Sequence, residues 1–477
     1  MPVLASFMVP HPPMIVPGVG RGSEKQVEET TRAYEQVAKE IAALRPETIV
    51  FTSPHATLYA DYFHISPGKK AKGSFSYFRA PEVKFSEFYD EELVDKISEL
   101  AYQEHFPAGT MGEREPELDH GTMVPLWFIR NQYSGGKIVR IGLSGNPLTD
   151  HYKLGQILAK AVDVTGRRVV LVASGDLSHK LQDYGPYGFA KEGPEYDSRI
   201  MDVMGRGAFG ELFDFDEAFC DKAAECGHRS FVIMAGVWDG KKVRATKLSH
   251  QDVTGVGYGI CTFYPVDEDS ADEVSERQFL KNYLSAKEQE LLDRKEHADA
   301  YVRLAVLSLE HYISTGKKLR IQDAKEILEK EGISLPEALL DSRAGAFVSI
   351  HKQGLLRGCI GTIAPTTSSL AQEIINNAVS ASTRDPRFDA ITPDEFPWLE
   401  VNVDVLGEAE PIESKDLLDV KKYGVIVSTK DGRRGLLLPD IDGVDTVDDQ
   451  VSIAMRKGGI QPHEKYSLER FEVVRHI

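Results

Sequence analysis

Along the first 265 residues the apolar positions switch between short continuous runs and longer runs with a helical period. Residues 3–9 (VLASFMV) and 48–52 (TIVFT) are apolar, partly β-branched runs that proline follows at Pro10 and Pro54, which predicts two buried strands. Between them residues 23–44 place Val27, Tyr34, Val37, Ala38 and Ile41 on one face, the pattern of an amphipathic helix, after Gly18, Gly20 and Gly22 interrupt the chain. Strand, helix and strand at this spacing form a βαβ unit with a right-handed crossover. Residues 61–66 are expected as a further strand and 86–105 as a helix. Residues 137–144 then read as a strand, 151–164 as a helix and 168–173 as a buried strand; 198–204 and 215–234 read as mainly helical, and 245–255 and 257–264 as closing strands. The alternation predicts an α/β domain over residues 1–266, a central sheet flanked by helices.

The pattern changes after that. Residues 267–276 (DEDSADEVSE) are acidic with little apolar content, so 267–284 is expected to be a solvated linker. Ser285 and Glu288 have capping-box spacing and open a helix expected to reach about residue 312. Strands at 345–352, 355–361, 399–406 and 424–428, with helices at 324–331 and 369–382, predict an α+β domain over residues 285–477.

Composition narrows the partners. A 477-residue chain is too long for one core, so two or three domains are expected. The formal net charge of -18 argues against nucleic acid and anionic membranes as partners. Cys220, Cys226, Cys261 and Cys359 form no CxxC pair and no disulfide framework, which fits a reducing, cytoplasmic setting. The N-terminus lacks a basic leader, and no apolar run is long enough to span a bilayer, so a soluble protein is expected. Oligomeric state is left open, a homo-oligomer included.

The chemistry gathers at strand ends. His11 lies in PHPP after the first strand and His55 in SPH after the second, and parallel α/β sheets build sites beyond the carboxyl ends of their strands. Either histidine alone reads equally well as an ordinary loop residue; two delivered through proline-stiffened turns point to paired metal ligands. His120 in LDHGT, Asp176 and His179 in SGDLSH, and the Glu225–Cys226 pair in AECGHRS complete the set. Two histidines and a carboxylate leave positions open on a divalent ion, the arrangement that non-haem Fe(II) uses to hold a substrate and dioxygen together, and Zn is the alternative. A further imidazole can act as acid or base, and Asp176, three residues before His179, is placed to orient it.

Together PHPP, SPH, LDHGTMVPL, SGDLSH and ECGHRS resemble the LigB-like class III extradiol ring-cleavage dioxygenases and their relatives, the Memo proteins. The resemblance covers about residues 3–265. It implies that His11 and His55 are metal ligands, that His179 is the acid/base residue, and that His120 lies near a pocket for dioxygen and a small catechol-like aromatic substrate. Asp176 belongs to a motif shared with the Memo branch. The third ligand divides the two branches: the dioxygenases use a late glutamate, for which Glu225 is the candidate, and the Memo branch a cysteine, which falls on Cys226. Glu225 would keep a hard site suited to iron, and is the preferred reading; Cys226 would soften it toward zinc or copper.

In the second half GLLRGCIG (354–361) and SASTRDPRF (380–388) resemble the AMMECR-type domain over about residues 285–470. Arg357 beside Cys359 is placed to activate the thiol, and Arg384 and Arg387 to bind an anion. Packing of Cys359 and pairing of the arginines with Asp385 account for the same residues equally well.

Overall fold

The computed structural model describes every residue except 1–2, 115–116, 267–270, 353 and 442. It divides into two compact units, Met1–Leu284 and Ser285–Ile477.

The first unit is α/β around a six-stranded mixed sheet. Its order is Lys137–Gly142, Thr48–Ser53, Val169–Ser174, Val3–Val9, Tyr258–Pro265, Val243–Gln251, with the first four mutually parallel and Tyr258–Pro265 antiparallel to both of its neighbours. The two histidine-bearing strands are therefore not neighbours. Val169–Ser174 lies between them, pairing Val50 with Leu171 on one side and Phe7 with Val172 on the other. Helices cover both faces, so Thr48–Ser53 and Val169–Ser174 are buried throughout, and this is why both read as continuous apolar runs rather than alternating ones. Phe7, Val9, Ile49 and Phe51 pack on one side with the helices Glu28–Leu44 and His120–Gln132. Met8, Val50 and Leu171 pack on the other with Leu148–Thr165 and His228–Val237.

Three local expectations change. Residues 86–105 divide between the end of a hairpin, Lys70–Phe75 with Ala80–Phe88, and the helix Glu91–Gln103, because the acidic first turn sets in only at Glu91. Only Phe63–His64 of residues 61–66 is a strand, paired with Ala108–Gly109. The expected linker holds the helix Ala271–Glu276 and the start of another, Phe279–His297; Leu280 is buried in the core of the first unit, and Tyr283 stacks on Phe213 at 4.6 Å. The apolar residues Phe279, Leu280 and Tyr283 hold this stretch down; residues 267–270 of it lie outside the described residues.

The second unit is α+β, with a curled antiparallel sheet ordered Leu355–Gly361, Ala346–Lys352, Leu399–Leu406, Ser467–His476, Tyr423–Ser428, Arg434–Leu437. The helix expected from residue 285 to 312 is two. Asp299 caps a new one, Ala300–Thr315, by accepting the Tyr301 and Val302 N–H groups at 2.9 and 3.1 Å. Among the described residues no helix is long and apolar enough to cross a membrane.

Candidate metal centre

Each histidine-bearing loop leaves the carboxyl end of its strand. His11 and His55 sit on strands with one strand between them, a separation of about 10 Å, yet their Nε2 atoms are 3.0 Å apart. His11 also meets the end of the strand between them, with Nδ1 3.0 Å from Ser174 Oγ. The third member comes from the break between the helices Glu217–Ala223 and His228–Val237, where Cys226 Sγ lies 3.6 Å from His11 Nε2. These three ligand atoms all lie within 4.8 Å of one another; His11 is buried, Cys226 half-buried and His55 open to solvent.

The donor set fits one ion. Metal–nitrogen and metal–sulfur bonds of about 2.05 and 2.3 Å at tetrahedral angles place two nitrogens about 3.3 Å apart, and a nitrogen and sulfur about 3.6 Å apart. Burial, and then the neighbouring Asp176 and Glu225, push the Cys226 pKa well above its usual value, against the Asp176 backbone N–H that points at Sγ at 3.3 Å, so the metal-free site holds a thiol and a bound cation would be what displaces its proton. Burial, and then the neighbouring His55, pushes the His11 pKa well below its usual value. Loss of water on the packed edge of His55 lowers its pKa too, although its outer edge is exposed. Both imidazoles are therefore neutral near pH 7, the form that ligates metal.

The carboxylate of Glu225, the preferred third ligand in the sequence, points elsewhere. Its Oε2 accepts the His228 N–H at 2.6 Å, at the start of the His228–Val237 helix, where a carboxylate meets unpaired N–H groups. The grouping is therefore two imidazoles and a thiol. Asp176 also has a different partner from the one expected. Its Oδ1 accepts the His11 backbone N–H at 2.7 Å, and His179 is oriented by a main-chain carbonyl, with Nδ1 2.6 Å from Ala224 O. Ala224 reaches that position with φ of 53°, a left-handed conformation uncommon for alanine, one residue before Glu225 and two before Cys226.

His120 is in place as the first residue of its helix. Its ring lies against His55 at 3.9 Å, tilted by 30°, and meets His11 edge-on at 5.4 Å; burial and the two neighbouring imidazoles lower its pKa to about 4. Asp119 caps that helix through the Thr122 N–H at 3.0 Å and accepts the Ser53 hydroxyl at 2.6 Å. Burial pushes the Asp119 pKa up, but Arg140 at 3.5 Å and the Ser53 and Thr122 donors outweigh it and leave it below the usual value. Phe78 beside His120 and Tyr187 beside His179 add aromatic walls at 5.4 and 5.1 Å.

Sequence reasoning passed over Ser53, Asp119 and Ser174. Their signal was adjacency: Ser53 is two residues before His55, Asp119 precedes His120, and Ser174 opens the SGDLSH run. In the second unit Cys359 Sγ accepts from Ser349 Oγ at 3.2 Å, while Asp385 accepts the Cys359 N–H at 2.9 Å and binds Arg387 at 2.7 Å. Arg357 is bound to Glu395 at 3.0 Å, so it is engaged with a carboxylate and not with the thiol.

Residues 5–261 match the family described as catalytic LigB subunit of aromatic ring-opening dioxygenase, and residues 302–476 match AMMECR1. A Clostridium acetobutylicum protein is 39% identical over 478 residues, 98% of each chain. A Thermotoga maritima protein is 47% identical over 178 residues, 37% of this chain and 96% of its own. Among solved structures, an uncharacterized Escherichia coli K12 protein covers 54% of this chain and 99% of its own at 16% identity, with a TM-score of 0.37. With more than half its length matched by the LigB model, and a relative aligned from end to end, the chain belongs to the LigB family and carries an AMMECR1 domain after the LigB domain.

Proposed function

We propose that the first unit is a metal-dependent oxidoreductase in which His11 Nε2, His55 Nε2 and Cys226 Sγ hold a single transition-metal ion. The convergence of these three atoms carries the reading. Two imidazoles and a thiolate are softer than two imidazoles and a carboxylate, which favours copper or zinc over Fe(II) and a Memo-like redox centre over ring cleavage. A bound ion would supply open positions for substrate and, if copper or iron, an electron.

The protein's own groups handle protons. Ala224 O can only accept, so His179 Nδ1 carries the proton and its Nε2 is a free acceptor in the neutral ring. His179 thus serves as the base that takes a proton from substrate and returns it. His120 stays neutral and packs beside the ligand rings, where it limits the space for substrate and excludes water. Phe78 and Tyr187 flank the opening as apolar walls.

A second reading, extradiol cleavage of a catechol-like substrate by dioxygen at Fe(II), is favoured by His179 and His120 beside the ligand set and by the LigB match. Metal analysis of anaerobically purified protein, followed by oxygen uptake with a panel of catechols, separates the two. Copper at one per chain with no catechol-dependent uptake supports the first, whereas zinc at one per chain supports the three-donor site and overturns the oxidoreductase assignment, because Zn2+ carries no electron. Stoichiometric Fe(II), with uptake abolished by His179→Ala, supports the second. Absence of any stoichiometric metal sinks both.

A further inference from the structure

Ser174 ends the strand that lies between the two histidine-bearing strands, directly opposite Val9. It is fully buried, and its hydroxyl has two neighbours: His11 Nδ1 at 3.0 Å and the carbonyl oxygen of Gly121 at 2.6 Å. A carbonyl cannot donate, and two oxygens 2.6 Å apart with no hydrogen between them repel. The single Ser174 proton therefore lies on the bond to Gly121, and the hydroxyl oxygen is left to accept from His11.

The sequence explains why Gly121 takes that proton. In the His120–Gln132 helix the Gly121 carbonyl would normally accept the N–H four residues on, and that residue is Pro125, which has none. Gly121 itself cannot be larger, because a Cβ there would stand 2.3 Å from Ser53 Oγ. Pro125 thus leaves a buried acceptor open, and Ser174 fills it.

We infer that Ser174 is a positioning residue for the metal centre: held by the carbonyl that Pro125 leaves unpaired, it fixes His11 as the Nδ1–H tautomer and so presents the Nε2 lone pair toward His55 and Cys226. The inference rests on the metal-centre reading for its purpose, but the tautomer belongs to the metal-free protein. In that state His55 must be the donor in the 3.0 Å contact with His11 Nε2, and His55, open to solvent, is the ring that changes tautomer when an ion enters. Fixing a ligand histidine through its other nitrogen typically contributes 10–100-fold in metal affinity.

The test uses the full chain and three variants, Ser174→Ala, Pro125→Ala and the double variant. The tautomer of His11 is read from the ring-nitrogen NMR shifts of metal-free protein labelled at histidine, assigned by loss of the signal in His11→Gln. Affinity is measured for Zn2+ against a chromophoric chelator, and stability as the thermal midpoint. Ser174→Ala should lose the Nδ1–H pattern, weaken Zn2+ binding about 10–100-fold and lower the midpoint. Pro125→Ala restores an N–H for Gly121, so the double variant should recover the midpoint while affinity and tautomer stay lost. A purely structural Ser174 would recover all three in the double variant, and that result overturns the inference. So does an unchanged His11 tautomer in Ser174→Ala. If wild-type protein binds no Zn2+ but shows the Nδ1–H signal, the metal reading fails and the tautomer assignment stands.

Discussion

The sharpest division between the two candidate third ligands is a paired substitution, Cys226→Ser against Glu225→Gln. Cys226 Sγ belongs to the three-atom group, whereas the Glu225 carboxylate is occupied with the His228 N–H at 2.6 Å. Four-ligand zinc sites bind with about 10–16 kcal/mol, so one protein donor contributes about 3 kcal/mol. Losing the sulfur should therefore weaken Zn2+ binding about 100-fold. Burial pushes the Glu225 pKa up to about 7 against the His228 N–H, so the group carries only part of a charge at neutral pH; Glu225→Gln keeps an acceptor oxygen and should change stability by less than about 1 kcal/mol and leave Zn2+ affinity within about twofold. Chelator competition gives the affinities, and a cobalt-substituted sample gives a second readout, since the thiolate absorption band should disappear only in Cys226→Ser. The opposite pattern, affinity lost in Glu225→Gln and kept in Cys226→Ser, would show that the carboxylate swings into the site on binding and would refute the assignment.

Other outcomes follow from individual contacts. His179→Ala should leave metal stoichiometry unchanged and reduce turnover of an identified substrate about 100-fold or more, measured by stopped-flow or oxygen electrode. Gly175→Ala should be far more damaging than its size suggests: its Cβ would fall 2.0 Å from Gly227 Cα, and two backbones cannot separate there without moving the Cys226 loop. A loss above about 3 kcal/mol in urea unfolding is expected, and a near-neutral result would contradict the packing. In the second unit the bond to Arg357, with help from Thr392 and Lys352, overcomes burial and holds the Glu395 pKa at about 2. Because that value lies below the one in the unfolded chain, its stabilisation is complete above pH 4.5 and fades as pH falls toward 2. Allowing for the partial exposure of Arg357 and Lys352, the loss should be about 2 kcal/mol. Urea midpoints between pH 6 and pH 3 should show this slope in wild type and much less of it in Glu395→Gln.

The sheet was legible because buried strands write continuous apolar runs, and the histidines because they follow those runs directly. Val3–Val9, Thr48–Ser53 and Val169–Ser174 all lie within a residue of where the pattern places them. What could not be read was strand order: nothing in the runs themselves says that Val169–Ser174 inserts between the other two. The choice between Glu225 and Cys226 was equally hidden. Adjacent residues in a non-helical break point in different directions, and only the left-handed turn at Ala224 sends the thiol inward and the carboxylate to the helix start. The acidic stretch after residue 266 was misjudged by composition, since Phe279, Leu280 and Tyr283 suffice to dock the start of the helix that follows it. Ser174 shows the same limit, because a serine closing an apolar strand gives no hint of the carbonyl it faces across 53 residues of chain.

The inserted strand also sets a timetable. Both histidines of the proposed site have been synthesised once residue 55 leaves the ribosome, but the strand between theirs arrives only with residues 169–174, and the thiol later still, with residue 226. Contacts separated by 163 and 215 residues form late, because the chain must first lose the entropy of closing long loops. A nascent or truncated chain that stops short of residue 169 therefore carries two of the three donors with no means of bringing them together, and under the proposed assignment acquisition of metal would report that the first unit has finished folding.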